Sequence, residues 1–309
     1  MKTARAFCPA GISSFFQICD KTKDGEAITD PARVGARGGG FAIETGVSTE
    51  VRAVEAEEER ISIFIDGKPA PYAETTRTVA ESLLREAGKI LDIAIEHRVD
   101  VPIGAGFGSS AAGALGTALA LSRMLGINLT YNQLGRIAHV AEVKCLTGLG
   151  TVGPLLLGGC AITTEPGAPG YSVIDRIPIS SDHRIVAVTY RPLPTKDTLL
   201  SQERRPLINK WGLKTVERIV GNPSLENFMQ ASKEFALKTG FATGRIKRLI
   251  AVAEKAGAVG AAQNMLGEAV HALVTSDRLE DVIKALKQAA VNKRIVIAKL
   301  DFQGARWLK

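Results

Sequence analysis

The sequence predicts an α+β fold in two units, and three observations carry that reading. The first third of the chain alternates as strands do and then passes into helical periodicity. A turn-rich segment, EPGAPG at 165–170, holds two prolines and two glycines in six residues, as an interdomain boundary would. The second half then sets three successive helical stretches among short apolar strands. At 309 residues the chain is long enough for two domains, expected over 1–166 and 167–309.

The elements follow in order. Thr3–Phe7 reads as a strand leading into a turn at CPAG. Gly40–Val47 and Thr49–Ala56 alternate as two strands around Gly46. Ile61–Ile65 is a strand closed by the turn signal Asp66-Gly67. Ala80–His97 is expected as one amphipathic helix, because Leu83, Leu84, Ala87, Ile90, Leu91 and Ala94 recur at helical spacing. Arg98–Ile103 is a short strand running into glycines. Ser109–Leu125 is a helix of small residues that stops before Gly126. Asn132–Cys145 is a second helix, with Thr130 as N-cap and Gln133 in the capping-box position. A break at 147–159 precedes a strand at Cys160–Thr164. Arg184–Tyr190 opens the second half as a strand. Helices are expected near 207–220, 224–237 and 243–256, then a strand at Ala269–Val274, a helix at Leu279–Ala289 and a strand at Arg294–Leu300.

Composition bounds the function. Apolar types make up 45% and charged types 23%, which excludes a disordered, collagenous or disulfide-scaffold chain. The four cysteines Cys8, Cys19, Cys145 and Cys160 lack CxxC spacing, so they read as reduced thiols rather than a framework or zinc clip. The longest uncharged run, Val101–Ser122, holds five glycines, three serines and a proline, which makes it a poor membrane span. The N-terminus lacks a signal-peptide core. A cytoplasmic protein with no membrane partner is expected. The net charge of +7 is uneven: residues 1–154 carry a balance of −2 and residues 155–309 one of +9. A basic half suits an anionic partner, either nucleic acid or small phosphorylated or carboxylated ligands. Aromatics at 5% leave few stacking platforms, which argues against nucleic acid.

The most informative segment is PIGAGFGSSAA at 102–112. Gly104, Gly106 and Gly108 alternate between a strand and a helix, where glycine allows positive φ and close approach of an anion. The unpaired amides of the helix's first turn face the same spot, with the positive end of its dipole. Ser109 and Ser110 add hydroxyls. This suits a di- or triphosphate. No lysine follows the last glycine, so it is not a Walker A loop, and the spacing is not the dinucleotide fingerprint either. The competing reading is a tightly packed Gly/Ala helix with no ligand.

The pattern P-x-G-x-G-F-G-S-S-A-A resembles the second signature of the GHMP kinases, the galactokinase, homoserine kinase and mevalonate kinase group. CPAGISSFF at 8–16 matches the position of their first motif, and AGAVGAAQNMLGEAVHALV at 256–274 that of their third. GARGGGFAI at 35–43, TKDTLLS at 195–201 and NMLGEAV at 264–270 are similar to the archaeal pantoate kinase branch. The resemblance implies an N-terminal unit shaped like ribosomal protein S5 domain 2 and a ferredoxin-like C-terminal unit. It implies ATP across Pro102, Gly104, Ala105, Gly106, Phe107, Gly108, Ser109, Ser110 and Ala111, with Mg²⁺ on its phosphates. Ser110 and Glu142 would be metal ligands and catalytic. Pantoate, or another small hydroxy acid or alcohol such as mevalonate, shikimate or homoserine, would be the acceptor. A homodimer is compatible with the resemblance. A reading of another class, a basic non-catalytic RNA-binding module, has no need of the phosphate loop.

Glu142 falls at the edge of the apolar stripe Leu134, Ile137, Ala138, Ala141 and Cys145, where a carboxylate needs a partner. A metal is one candidate and a salt bridge to Lys144 or His139 the other. His139 and Glu142 have H-x-x-E spacing, but too few further ligands flank them for a transition-metal site. Many members of the family carry an aspartate as base about ten residues beyond the glutamate, and here Thr151 stands at that place. Either positioning and charge neutralisation suffice, or Asp20 or Asp30 reaches in; the first is expected. For an acceptor carboxylate, Arg37 between glycines of an expected loop is the leading candidate and Arg33 the second. Ser13 and Ser14 would bond substrate hydroxyls or else cap a turn. Lys196 would neutralise phosphate, or else be a solvated loop lysine.

Overall fold

The computed structural model describes residues 2–193, 195–201 and 203–309. β1 (Lys2–Cys19) and β2 (Gly35–Glu55) form one long antiparallel hairpin, in register from Lys2 opposite Ala53 to Cys19 opposite Gly35. CPAG is therefore not a turn. It lies within β1, where a register shift between Pro9 and Ala10 accommodates a residue that cannot donate to a ladder. The two short strands expected around Gly46 are likewise one strand, with Gly46 opposite Pro9.

β3 (Arg60–Ile65) and the two-residue β4 (Lys68–Pro69) precede α1 (Glu74–Ala87) and β5 (Leu91–Val99). The single helix expected over 80–97 is corrected here. Gly88 ends α1 in the left-handed region at φ 59°, its amide and that of Lys89 returning to the last carbonyls. β5 then alternates, with Leu91, Ile93, Ile95 and His97 inward, and pairs antiparallel with β2 and parallel with β3.

α2 (Ser109–Leu125), α3 (Tyr131–Cys145) and the short α4 (Val152–Leu157) follow, then β6 (Cys160–Glu165) and β7 (Val173–Ile177). The capping box at Thr130 and Gln133 is formed as expected. α4 occupies what was expected as an unstructured break.

The second half runs β8 (His183–Pro192), α5 (Thr195–Leu200), α6 (Arg205–Gly221), α7 (Leu225–Lys238), α8 (Gly244–Lys255), β9 (Gly260–Gln263), β10 (Gly267–Thr275), α9 (Leu279–Ala289), β11 (Arg294–Lys299) and β12 (Arg306–Leu308). The first sheet has the order β12-β1-β2-β5-β3-β4, with β6 on β2 and β7 on β6. The second is antiparallel, β11-β8-β10-β9.

Two cores result. In one, α1 and α2 lay Val79, Leu83, Leu115 and Leu119 against Val47, Val51, Ile93 and Ile95 of the first sheet. α2 is almost wholly buried from Ala111 to Ser122, which explains its glycine and alanine content. In the other, Phe15 and Phe41 of the hairpin pack edge-on against Phe228 and Phe235 of α7, with ring centroids 5.2–6.4 Å apart. That aromatic cluster joins the far end of β1 and β2 to the second sheet's helices. All four cysteines are free, with Cys8 and Cys160 buried. Among the described residues no helix is long and apolar enough to cross a membrane.

Candidate functional site

The glycine loop between β5 and α2 is anchored from within. Ala105 and Phe107 are buried at 0% and 1% exposure, while Gly104, Gly106 and Gly108 take φ of 72°, 78° and 60°. Apolar residues thus alternate inward with glycines whose backbone only a residue without Cβ adopts freely. Two neighbours fix the loop: Gly11 donates its amide to the Phe107 carbonyl and Leu193 donates to Gly104, both at 3.0 Å. A third presses on it, since a Cβ on Gly106 would meet Asn264 Cβ at 2.7 Å. The three segments singled out in the sequence, near residues 8–16, 102–112 and 256–274, therefore converge.

Gly108 is the N-cap of α2 and offers no side chain to the helix's first turn, which holds no acidic residue. The first amide with a helical partner is that of Ala112, to Gly108 at 2.9 Å. The amides of Ser109, Ser110 and Ala111 are the turn's intrinsically unpaired donors, at the positive end of a 17-residue helix. That is an anion-binding end.

Glu142 comes to this turn from α3. Its side chain is buried at 3% exposure, and Oε1 accepts from Ser110 Oγ at 2.6 Å and from Thr147 Oγ1 at 2.7 Å. Thr147 in turn bonds Thr75 of α1 at 2.9 Å. Burial pushes the Glu142 carboxyl up from its ordinary range, against the two hydroxyls that pull it down. Among the described residues it has no cationic partner: His139 Nε2 bonds the Val34 carbonyl at 2.8 Å, and Lys144 forms no ion pair. A buried carboxylate held only by hydroxyls, beside unpaired amides, fits a hard divalent cation. No group of three His, Cys, Asp or Glu residues clusters around a metal position among the described residues. The fit is therefore to an ion such as Mg²⁺ that takes one carboxylate from protein and its other ligands from phosphates and water.

The remaining expected residues are placed differently. Arg37 lies in strand β2, not in a loop, and its guanidinium is already committed: Nε to the Thr164 carbonyl at 2.8 Å, Nη1 to Gln17 at 3.3 Å, Nη2 to Glu165 at 3.2 Å. Arg33 stacks over Tyr171 at 4.2 Å. Ser13 and Ser14 are in β1 and cap no turn or helix. Ser13 accepts the Met265 amide at its carbonyl, 2.7 Å. Ser14 is fully buried and bonds His271 Nε2 at 3.0 Å, while His271 Nδ1 bonds Asn264 at 3.0 Å. Lys196 is exposed in the first turn of α5, a helix rather than a loop.

Thr151 stands at the start of α4 without a side-chain capping bond, and its methyl group faces Gly108 and Gly11: a Cβ on either would lie 2.8 or 3.0 Å from it. It therefore borders the loop with no ionisable group. Asp20 is gripped by Arg205 at 2.6 and 2.7 Å, and Asp30 caps the amide of Ala32 at 2.9 Å. Both carboxylates thus have partners already.

Thr75, Thr147, His271 and Asn264 were not legible as site residues. Thr147 alone had a local signal, as a hydroxyl just past the helix that carries Glu142. Two clefts, of about 580 Å³ beside the chain ends and about 390 Å³ between α1 and α3, include neither the loop nor Glu142.

The chain is similar to known proteins over nearly its whole length. Residues 74–159, which run from the start of α1 to just beyond α4, match the model of the GHMP kinases N terminal domain. The chain is 30% identical over 286 residues to the pantoate kinase of Methanocaldococcus jannaschii, covering 92% of this chain and 98% of that one. It is 33% identical over 286 residues to the pantoate kinase of Methanospirillum hungatei, covering 90% and 89%. A solved structure described as a phosphotransferase related to the CoA biosynthesis pathway superposes with a TM-score of 0.88 at 29% identity, over 99% and 98% of the two chains. The α+β architecture with its two sheets, the three converging motifs and the likeness to archaeal pantoate kinases along nearly the whole chain agree: this protein belongs to the GHMP kinase superfamily.

Proposed function

We propose that the protein transfers the γ-phosphoryl group of ATP to the primary hydroxyl of pantoate, giving ADP and 4-phosphopantoate, a step toward coenzyme A. The observation that carries the kinase reading is the buried Glu142 carboxylate, held by Ser110 and Thr147 at the uncapped first turn of α2. The choice of pantoate rests on relatives of 30% and 33% identity that bear that activity in their names.

In this reading the amides of Ser109, Ser110 and Ala111 and the backbone of Gly104–Gly108 hold the polyphosphate. Ser110 and Glu142 would hold Mg²⁺, which when bound neutralises charge on the phosphates. The acceptor oxygen forms its bond to phosphorus as the bond to the β–γ bridging oxygen breaks. Phosphoryl transfer has a loose transition state, so alignment and charge neutralisation supply most of the acceleration. The hydroxyl proton then leaves late, to a phosphate oxygen or to water, and no carboxylate is required where Thr151 stands.

ADP release measured with pantoate, mevalonate, homoserine and shikimate tests the reading. The expected result is a kcat/KM for pantoate at least about a hundredfold above the others. Turnover led by another acid keeps the kinase and changes the acceptor. No turnover with any of them removes the kinase reading.

A further inference from the structure

The rim of the phosphate loop carries a second polar cluster, supplied by the second sheet. β8 and β10 pair with Pro192 opposite Gly267 and Arg191 opposite Glu268, but Thr189 is opposite Ala269, so Tyr190 is an extra residue in β8. Such a bulge redirects side chains and is typical beside functional sites. The Arg245 guanidinium lies over the Tyr190 ring at 5.4 Å and reaches Glu268 at 3.8 Å. Lys293 sits over the same ring at 5.4 Å.

Glu268 is the hub. Its side chain is only 5% exposed, and it accepts from Arg191 Nε at 2.7 Å and from Thr243 Oγ1 at 3.1 Å. Arg191, by contrast, is 67% exposed. The contact uses Nε alone, and among the described residues neither Nη group has a partner. A buried carboxylate that fixes a guanidinium by its inner edge leaves the outer fork preset for a two-oxygen anion. Two cations, Arg191 and Arg245, reach this one anion, so the cluster keeps positive charge to offer.

Its position is set by backbone contacts. Leu193, two residues beyond Arg191, donates its amide to Gly104 at 3.0 Å, and a Cβ on Gly104 would meet Pro192 at 3.0 Å. Gly267, next to Glu268, lies so close to the loop that a Cβ there would meet the Ala105 carbonyl. The guanidinium therefore stands on the chain segment that borders the loop. Arg37, the residue first expected to receive an anion, is consumed by Thr164, Gln17 and Glu165.

We propose that Arg191, oriented by Glu268, is an oxyanion receptor on the rim of the phosphate loop, binding through its two Nη groups the nucleotide's polyphosphate or the acceptor's carboxylate. This rests on the loop being the phosphate site. Glu268 is then a positioning residue, acting through Arg191.

The test compares wild type with Arg191→Ala, Arg191→Lys and Glu268→Gln. Arg218→Ala, which removes an exposed cation paired to Glu234 in the same half, is the control. KM for ATP and for pantoate are measured separately. Binding of sodium tripolyphosphate and of pantoate is read independently by thermal shift. Arg191→Ala should raise one KM by about thirtyfold with kcat changed less than tenfold, and abolish the matching thermal shift. Arg191→Lys should restore little, because an ammonium lacks the fork. Glu268→Gln should fall between. A rise confined to ATP and tripolyphosphate assigns the nucleotide, and one confined to pantoate assigns the acceptor. If both KM values and both thermal shifts stay within about twofold of wild type in Arg191→Ala, the receptor is excluded. Should wild type turn over no acid at all, the thermal shifts still decide the receptor, apart from the kinase reading.

Discussion

Two buried glutamates border the glycine loop and are held in opposite ways. Glu142, beneath the first turn of α2, has only hydroxyls as donors. Glu268, at the loop's rim, has Arg191, Arg245 and Thr243. Burying a charge without a counter-charge is costly. A carboxylate tied to guanidinium already has its cation and acts as an anchor. One tied to Ser110 and Thr147 keeps a full negative charge to share, which suits a cation that arrives with the substrate. Equal burial thus marks two different jobs, and the donors tell them apart.

The sharpest way to break the contrast is Glu142→Gln. The amide still accepts from Ser110 and Thr147 but carries no charge. Activity at saturating Mg²⁺ should fall about a thousandfold, about 4 kcal/mol, while the variant stays folded. A companion measurement gives the sign of the buried charge. Because burial raises the Glu142 carboxyl, the folded state binds its proton more tightly than the unfolded chain. Stability without divalent cations should then decline as pH rises from the ordinary glutamate range through the raised folded value. Urea unfolding should show wild type and Glu142→Gln converging in acid and separating as pH rises, with wild type the less stable. Equal pH dependence of the two would mean that Glu142 is not charged alone.

Gly106→Val comes next. Its φ of 78° and the 2.7 Å approach of Asn264 leave no room for a branched side chain. We expect a loss of about a hundredfold in kcat/KM for ATP and about 1–3 kcal/mol of stability, read by steady-state kinetics and urea unfolding. Thr147→Val should cost less, about tenfold in kcat, because Ser110 still holds Oε1. If Thr147→Val matched Glu142→Gln, the threonine would be a ligand in its own right rather than a support.

What was legible in the sequence follows the same divide between local and distant contacts. The loop at 102–112 could be read because alternating glycines and an uncapped helix start are local features. Glu142 could be read because its own helix showed it to sit on an apolar edge. The guanidinium clamp could not, since Arg191 and Glu268 are 77 residues apart and meet only across a sheet register. Ser14 and His271 are 257 apart, and Thr75 and Thr147 are 72 apart. The largest error in the fold had a local cause. Ile90, Leu91 and Ala94 fit a continuing helix as well as a strand, and Gly88 was the stop signal that decided between them. Arg37 was expected in a loop because of its glycine neighbours, whereas these glycines pair with β1 within a long hairpin.

The smallest expected effect is the most informative about mechanism. Thr151 borders Gly108 and Gly11 through its methyl group, and its hydroxyl makes no cap to α4. A hydroxyl is essentially never ionised near neutral pH, so it cannot take the acceptor's proton. If alignment and charge neutralisation carry the transfer, Thr151→Ala should cost less than about tenfold in kcat, under about 1.4 kcal/mol. Thr151→Asp should change kcat only modestly, because early proton removal gains little in a loose transition state. Its carboxylate would, however, sit against Gly108 at the end of α2 that favours anions, and so compete with phosphate. A rise in KM for ATP with kcat nearly unchanged is therefore the expected signature. A gain of a hundredfold or more in kcat would instead show that proton removal limits the wild-type enzyme. Asp20→Asn closes the argument from the other side: it releases Arg205 and should lower stability while leaving most of kcat. A thousandfold fall in kcat with ATP and pantoate binding intact would show that this carboxylate leaves its arginine to serve as the base, and the positioning mechanism would be wrong.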